Sequence, residues 1–377
     1  MKDISSFEKI KKNFGLGCMR FPKKYNETDL DEVKRMIDVF MENGFNYFDT
    51  AHGYIDGKSE TIMKECLTKR YPRESYVLTN KLSTDFFSKK EDIRPLFEKQ
   101  LKDCGVSYFD FYLMHAQDKK LYEKYKKCNA YETALELKKE GKFLHFGISF
   151  HDKAEVLEKI LNDYPEIEVV QLQFNYFDYD DVSVESKKCY EVCLKYKKPV
   201  IVMEPVKGGY LSKLPYDAKE VFDKMGEASP ASYAIRFAAG FEGIVMVLSG
   251  MSSYEMICEN IGFMNEFSPL NEDEKGALKK VCEILRSKNL ISCTACRYCI
   301  NSCPKKILIP DLFSCYNSKK IFNSWNSNYY YGVHTQENSK ASECISCGKC
   351  EQICPQHLNI RELLKVVSEE FEKNYEE

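Results

Sequence analysis

Short apolar runs alternate along the chain with longer stretches whose apolar residues recur at helical spacing. The runs Phe14–Cys18, Phe45–Phe48, Tyr76–Thr79, Phe109–Met114, Phe143–Ile148, Glu168–Leu172, Val200–Met203 and Gly243–Leu248 predict strands. The stretches Leu30–Asn43, Ser59–Lys69, Lys89–Lys102, Ala130–Lys139, Lys153–Leu161, Ser183–Lys197, Pro230–Ala239 and Ser253–Gly262 predict the helices between them. Repeated strand–helix units imply a parallel sheet, and eight of them in about 250 residues suit an α/β fold closed as a TIM (β/α)8 barrel. An open doubly wound sheet is the alternative. It calls for a Gly-x-Gly-x-x-Gly turn after the first strand, and Gly15 and Gly17 do not continue that way. Ser229-Pro230 reads as a helix N-cap followed by proline at the first helical position. Asn43-Gly44, Glu140-Gly141 and Asp103-Cys104-Gly105 read as helix ends.

The pattern changes after about residue 265. Residues 271–290 read as a charged, partly amphipathic connecting helix. Residues 317–340, rich in Asn, Ser, Lys and Tyr and holding the lone Trp325, read as a surface excursion with little periodicity. Residues 359–372 read as a final helix, and the last residues as frayed. The division expected is therefore a barrel over 1–268 and a small C-terminal unit over 269–377. The chain has 377 residues, 44% apolar and 30% charged, with a formal net charge of -3. That balance argues against a general nucleic-acid binder. No apolar run is long enough for a signal peptide or a membrane span, so the expectation is a cytoplasmic protein.

Four ionisable residues stand at or just beyond predicted strand ends: Asp49 and Tyr54 after the second strand, Lys81 after the third and His115 after the fourth. In a barrel these positions meet at the C-terminal face, where chemistry is found. A lysine ammonium beside the tyrosine favours its phenolate, Asp49 can hold Lys81, and His115 can orient a carbonyl oxygen. Together such groups can protonate a carbonyl oxygen as hydride reaches the carbon. The turn after Glu204, with Lys207, Gly208 and Gly209, reads equally as an anion cradle or a plain loop. Asp118, Lys119 and Lys120 read as solvated loop charges, and His334 and His357 as surface residues.

The seventeen cysteines exceed background use. Nine of them are scattered, mostly at apolar or helical positions, and read as core or semi-buried thiols in a reducing compartment. The other eight form two runs, Cys293-x2-Cys296-x2-Cys299-x3-Cys303-Pro304 and Cys344-x2-Cys347-x2-Cys350-x3-Cys354-Pro355. Paired Cys-x2-Cys units can hold zinc, but here a complete iron–sulfur run occurs twice. The runs resemble bacterial two-cluster ferredoxins. The resemblance implies two [4Fe–4S] clusters with crossed ligation: Cys293, Cys296, Cys299 and Cys354 on one, Cys344, Cys347, Cys350 and Cys303 on the other. The stretch 304–343 is longer than a compact ferredoxin needs, and would cover a cluster, contact the barrel or dock a partner.

The segment Phe48-Asp49-Thr50-Ala51-His52-Gly53-Tyr54-x2-Gly57-x-Ser59-Glu60 resembles the signature of the aldo-keto reductases. Residues Tyr76–Lys81 and Asp110–His115 are similar to the next two motifs of that family. What the resemblance implies is an acid/base tyrosine at Tyr54, with Asp49, Lys81 and His115 completing a tetrad, over roughly residues 10–265. The whole chain resembles the subgroup with a C-terminal ferredoxin-like extension. The same resemblance implies NADP or NAD contacts at Gly17, Ser149, Gln171, Met203, Gly250, Ser252, Glu259 and Asn260. Phe150 stands where the family has asparagine. Met251 and Met256 fall where a 2′-phosphate would want positive charge.

Hydride travels as two electrons and clusters pass one at a time, so three readings follow. In the first, an oxidoreductase interconverts a small-molecule carbonyl and alcohol, and its clusters connect, through a flavin, to a ferredoxin- or flavodoxin-like partner. In the second the clusters only brace the C-terminal unit. In the third the chain is an electron carrier with an idle barrel.

Overall fold

In a computed structural model of the chain, eight parallel strands close into a barrel. The structure describes residues 7–287, 291, 293, 295, 297–323, 325–354 and 356–372. The barrel strands are β1 (Phe14–Gly17), β2 (Tyr47–Asp49), β3 (Val77–Leu82), β4 (Phe109–Gln117), β5 (Phe143–Phe150), β6 (Val169–Gln173), β7 (Val200–Met203) and β8 (Ile244–Ser249). Each pairs with the next, and β1 pairs with both β2 and β8, which closes the sheet. All eight expected strands are there, and a helix follows each. Ser229 caps its helix by accepting from the Ser232 amide. Gly44, Gly105 and Gly141 take φ of 79°, 68° and 73°, the left-handed backbone that stops a helix at little cost. Two helices within loops, Lys119–Lys127 and Tyr216–Asp223, were not foreseen.

Successive side chains of a strand point to opposite faces, so every second residue faces the barrel axis. Tyr47 and Asp49 share that face, as do Val77, Thr79 and Lys81, and Phe111, Leu113 and His115. The bond from Thr79 Oγ1 to the Tyr47 hydroxyl (2.6 Å) fixes the facing of β2 and β3. Tyr47, Val77, Phe111, Leu113, Val169 and Ile201 fill the interior, and Phe7 plugs its floor edge-on to Phe111. Gly147 has no room for a side chain: a Cβ there would lie 2.6 Å from the Val169 carbonyl oxygen and 2.7 Å from Leu113.

Among the described residues the chain beyond Ser249 is helical. The connecting helix Glu272–Ser287 buries Leu278, Val281 and Leu285 against Leu211, Phe222 and Tyr233. Residues 317–340 are not a surface excursion. They lie within helices Ile309–Phe322 and Trp325–His334 and the turn beyond. The first of these buries residues on all sides, Asp311 and Asn317 included, so no apolar stripe marks it in the sequence. It packs with the last helix, Ile360–Phe371, in a core of Ile307, Ile309, Phe313, Leu364 and Val367. Phe371 stacks on Tyr331 at 4.4 Å.

This helical region docks on the barrel. Lys153, just past β5, pairs with Asp311 at 2.6 Å, and Asp311 is fully buried. Ser314 donates to Asp181 (2.7 Å), Phe322 meets Phe177 edge-on, and Tyr210 donates to the Asn323 carbonyl (3.0 Å). Helix Trp325–His334 reaches the C-terminal ends of the strands: the Tyr330 hydroxyl donates to Gln173 Oε1 at 3.3 Å, and Tyr329 lies against His151. His334 is 3% exposed rather than a surface residue, and burial pushes its imidazole down to about 4. Asp118 is 2% exposed rather than solvated, because it accepts from the Leu121 amide and from Gln336. His357 is exposed as expected. No described helix is long and apolar enough to cross a membrane.

Candidate active site and cysteine cavities

The four strand-end residues meet at the C-terminal mouth of the barrel. Lys81 Nζ lies 2.5 Å from Asp49 Oδ1, 3.0 Å from the Thr50 carbonyl and 3.2 Å from the Tyr54 hydroxyl. Gln171 donates to the other Asp49 oxygen at 3.1 Å. The Tyr54 and His115 rings meet edge-on at 5.8 Å. Lys81 is completely buried, which works against its charge; Asp49 and Tyr54 outweigh that and raise its pKa. Tyr54 also moves up: burial and Asp49 outweigh the pull of Lys81. The phenol is therefore the resting form, not the phenolate that the ammonium alone would favour. Burial first, then Lys81 and His151, hold His115 well below the usual histidine range.

Local sequence explains the placement. Thr50 and Ser59 share a hydrogen bond of 2.7 Å, and Ser59 also donates to the Cys18 carbonyl. His52 Nδ1 lies 2.6 Å from Glu60, which accepts from Asn80 at 2.8 Å. Ser59 and Glu60 are fully buried. These signature residues pin the loop that carries Tyr54. In β4 the register slips: Met114 pairs with Ile148, but Gln117 with Phe150. The extra residue puts Ala116 at φ 53°, and its amide donates to Ser149 Oγ at 2.7 Å. Such a bulge re-aims the side chain beside it, here His115. Ser83 holds His115 Nδ1 at 2.7 Å.

The expected cofactor residues divide. Gly17 and Gly250 adjoin at the ends of β1 and β8: a Cβ on Gly17 would sit 3.6 Å from the Gly250 amide nitrogen. Ser149 and Gln171 both face the axis. Ser149 accepts from Ala116 and keeps its own proton, while the contact of Gln171 with Asp49 does not use its amide oxygen. Met203 ends β7, partly buried. Ser252 and Glu259 are exposed; Asn260 is buried and reaches Ser249 at 3.4 Å. Met251 is core, 1% exposed, and Met256 is exposed. Lys207 builds no anion cradle, because it is buried against Asp178 at 2.6 Å. Sequence reasoning missed His151 and Ser83. The step of two along β5, from Gly147 through Ser149, would have found His151.

Two cavities lie in the helical region. Cys344, Cys347 and Cys350 line one, together with Cys303. Cys293 and Cys299 line the other, together with Cys354. Each cavity thus takes cysteines from both runs. Cys296 and Pro355 lie outside the described residues. Among the described residues, the group of three ligand-type atoms within 4.8 Å of one another is His52, Glu60 and Asp103, with no cysteine. Of the nine scattered cysteines, seven are buried and Cys258 and Cys282 half-buried.

A family model for the aldo/keto reductase family matches residues 13–283, and one for a 4Fe-4S dicluster domain matches residues 292–359. The chain belongs to the aldo/keto reductase family. The uncharacterized oxidoreductase YqkF of Bacillus subtilis is 23% identical over 301 residues, covering 70% of this chain and 90% of that protein. The NADH-specific methylglyoxal reductase of Escherichia coli is 25% identical over 283 residues, covering 63% and 84%. The crystal structure of an aldo-keto reductase from Klebsiella pneumoniae in complex with NADPH superposes with a TM-score of 0.57 at 18% identity, over 71% of this chain and 90% of that one. That likeness is one of fold.

Proposed function

We propose that the chain is an NAD(P)-dependent reductase of small carbonyl compounds whose C-terminal helices are built around two [4Fe–4S] clusters. The contact of Lys81 with Asp49 and Tyr54 carries the first half of this reading. A nicotinamide cofactor, when bound, supplies hydride to the carbonyl carbon. Its carboxamide needs one donor and one acceptor, which the Ser149 hydroxyl and the Gln171 amide oxygen offer. The substrate oxygen sits between the Tyr54 hydroxyl and His115. With Ser83 donating to Nδ1, the His115 proton lies on Nε2 and turns toward that oxygen. Tyr54 gives its proton to the oxygen, and the new phenolate rests against the Lys81 ammonium. Asp49 keeps that ammonium charged in a site that burial would otherwise discharge.

The cavity linings support the second half. One zinc ion would draw four sulfurs to about 3.8 Å from each other at a Zn–S length of about 2.3 Å. No three described cysteines approach that closely, which speaks against a single zinc ion at either set. The residues that would hold the clusters are Cys293, Cys296, Cys299 and Cys354 for one, and Cys303, Cys344, Cys347 and Cys350 for the other. The cavities share Ile307, Ile309, Phe313 and Leu364 with the core of the region, so the clusters brace helices that dock on the barrel mouth. Exposed Cys347 favours a second reading, in which a ferredoxin- or flavodoxin-like partner exchanges electrons at that cluster. Bleaching of the cluster absorbance by NAD(P)H alone would select it. The reductase reading is tested by Tyr54→Phe in protein purified without oxygen. Aldehyde reduction falls at least about a hundredfold while iron content stays unchanged; undiminished activity contradicts it.

A further inference from the structure

The step of two that carries Ser149 to the barrel axis carries His151 there as well, one layer nearer the mouth. The His151 amide donates to the Gln117 carbonyl at 2.9 Å, which ties it beside the bulge that aims His115. Lys81 and His115 are its electrostatic neighbours. Burial, then Lys81, hold its imidazole down to about 4, so it is neutral and can both donate and accept. Its ring is partly exposed, and no described residue hydrogen-bonds it. The outer side is closed by the C-terminal region: Tyr329 stands edge-on at 5.3 Å, with Trp325 a further 5.6 Å on. Buried Asp118 and Asp152 lie near Tyr329, which disfavours an anion on this side.

We propose that His151 is a substrate-binding residue, and that the site takes carbonyl compounds bearing a second, neutral oxygen on the mouth side of the carbonyl, such as hydroxyaldehydes. The proposal rests on the reductase reading for where the carbonyl sits. His115 and Tyr54 hold the carbonyl oxygen, and His151 holds the second oxygen. The helix Trp325–His334 fixes the His151 ring, so the C-terminal region acts on which carbonyl is chosen.

Glyceraldehyde and propanal, which differ in their hydroxyl groups, are compared in wild type, His151→Phe and His151→Asn, all purified without oxygen. His151→Phe lowers kcat/KM for glyceraldehyde about tenfold more than for propanal, the scale of one or two neutral hydrogen bonds. His151→Asn, which still hydrogen-bonds, recovers most of the difference. Equal losses for both aldehydes, or no loss, overturn the proposal. Emission of the lone Trp325, titrated with each aldehyde beside oxidised nicotinamide, reads the same subsite without turnover. The wild type binds glyceraldehyde more tightly than propanal, and His151→Phe does not. An unchanged preference there refutes the subsite, whereas absent turnover with an intact preference refutes only the reductase reading.

Discussion

Replacing Asp49 by asparagine removes one charge and keeps the shape. Lys81 is fully buried, and its partners are the Asp49 carboxylate at 2.5 Å, the Thr50 carbonyl and the Tyr54 hydroxyl. Burial lowers the lysine; the carboxylate is the main group opposing it. Buried lysines without a counter-charge titrate up to about 3–5 units low. At about 1.4 kcal/mol per unit, three units are about 4 kcal/mol. Breaking one side of a buried ion pair costs about 3–5 kcal/mol, the same scale. In Asp49→Asn the lysine therefore loses its proton as pH rises through the neutral range. Tyr54 can then give up its proton only by leaving a phenolate beside a neutral amine. The expected result is a fall in kcat for aldehyde reduction of about a hundredfold at neutral pH, growing as pH rises. The wild type is flat over that range, because its tyrosine and lysine both titrate above their ordinary values. The assay is kcat against pH at saturating nicotinamide and aldehyde. A variant profile that is lowered but parallel to the wild type refutes the assigned role of Asp49.

Three further outcomes follow from buried groups. His334 is neutral when folded and takes a proton when unfolded, so the unfolded state binds more protons between about pH 6.5 and about 4. Stability therefore falls as pH drops through that window, by at most about 3 kcal/mol; denaturant midpoints of His334→Gln, falling less steeply than wild type, check it, and equal slopes refute it. Asp311→Leu strands the Lys153 ammonium at the junction and costs about 3–5 kcal/mol; an unchanged unfolding midpoint would show that the pair does not hold the helices to the barrel. Cys350→Ser loses the iron held with Cys303, Cys344 and Cys347 while the other set stays loaded. Full iron in that variant contradicts the assignment of Cys350 as a ligand.

The sequence was most legible where one face of an element is buried. The eight strands followed from runs of β-forming residues and the tetrad from strand-end positions and the family resemblance, and Asp49, Lys81 and His115 are the outermost inward residues of their strands. The same rule reaches His151, but no familiar motif points to it. Helices Ile309–Phe322 and Trp325–His334 were hidden for the opposite reason. The first is enclosed by its neighbours and the second wedged against the barrel, so neither shows a stripe. Asp118 and His334 read as surface residues because the groups that face them, Gln336 for Asp118 and Lys153 for His334, come from the other part of the chain. The protonated state of Tyr54 depends on burial outweighing Lys81, a balance that residue identities do not set. The cysteine runs showed their pairing only through resemblance, and each of the two cavities is lined by cysteines of both runs.

The most direct test of the reductase account follows one atom. Protein loaded with iron under nitrogen is given NADPH or NADH carrying deuterium at the transferable position, together with glyceraldehyde and propanal. One deuterium is expected on the new carbinol carbon of the alcohol, and almost none in Tyr54→Phe at equal iron content. Alcohol formed without label, while the clusters are reduced by the nicotinamide, would contradict it.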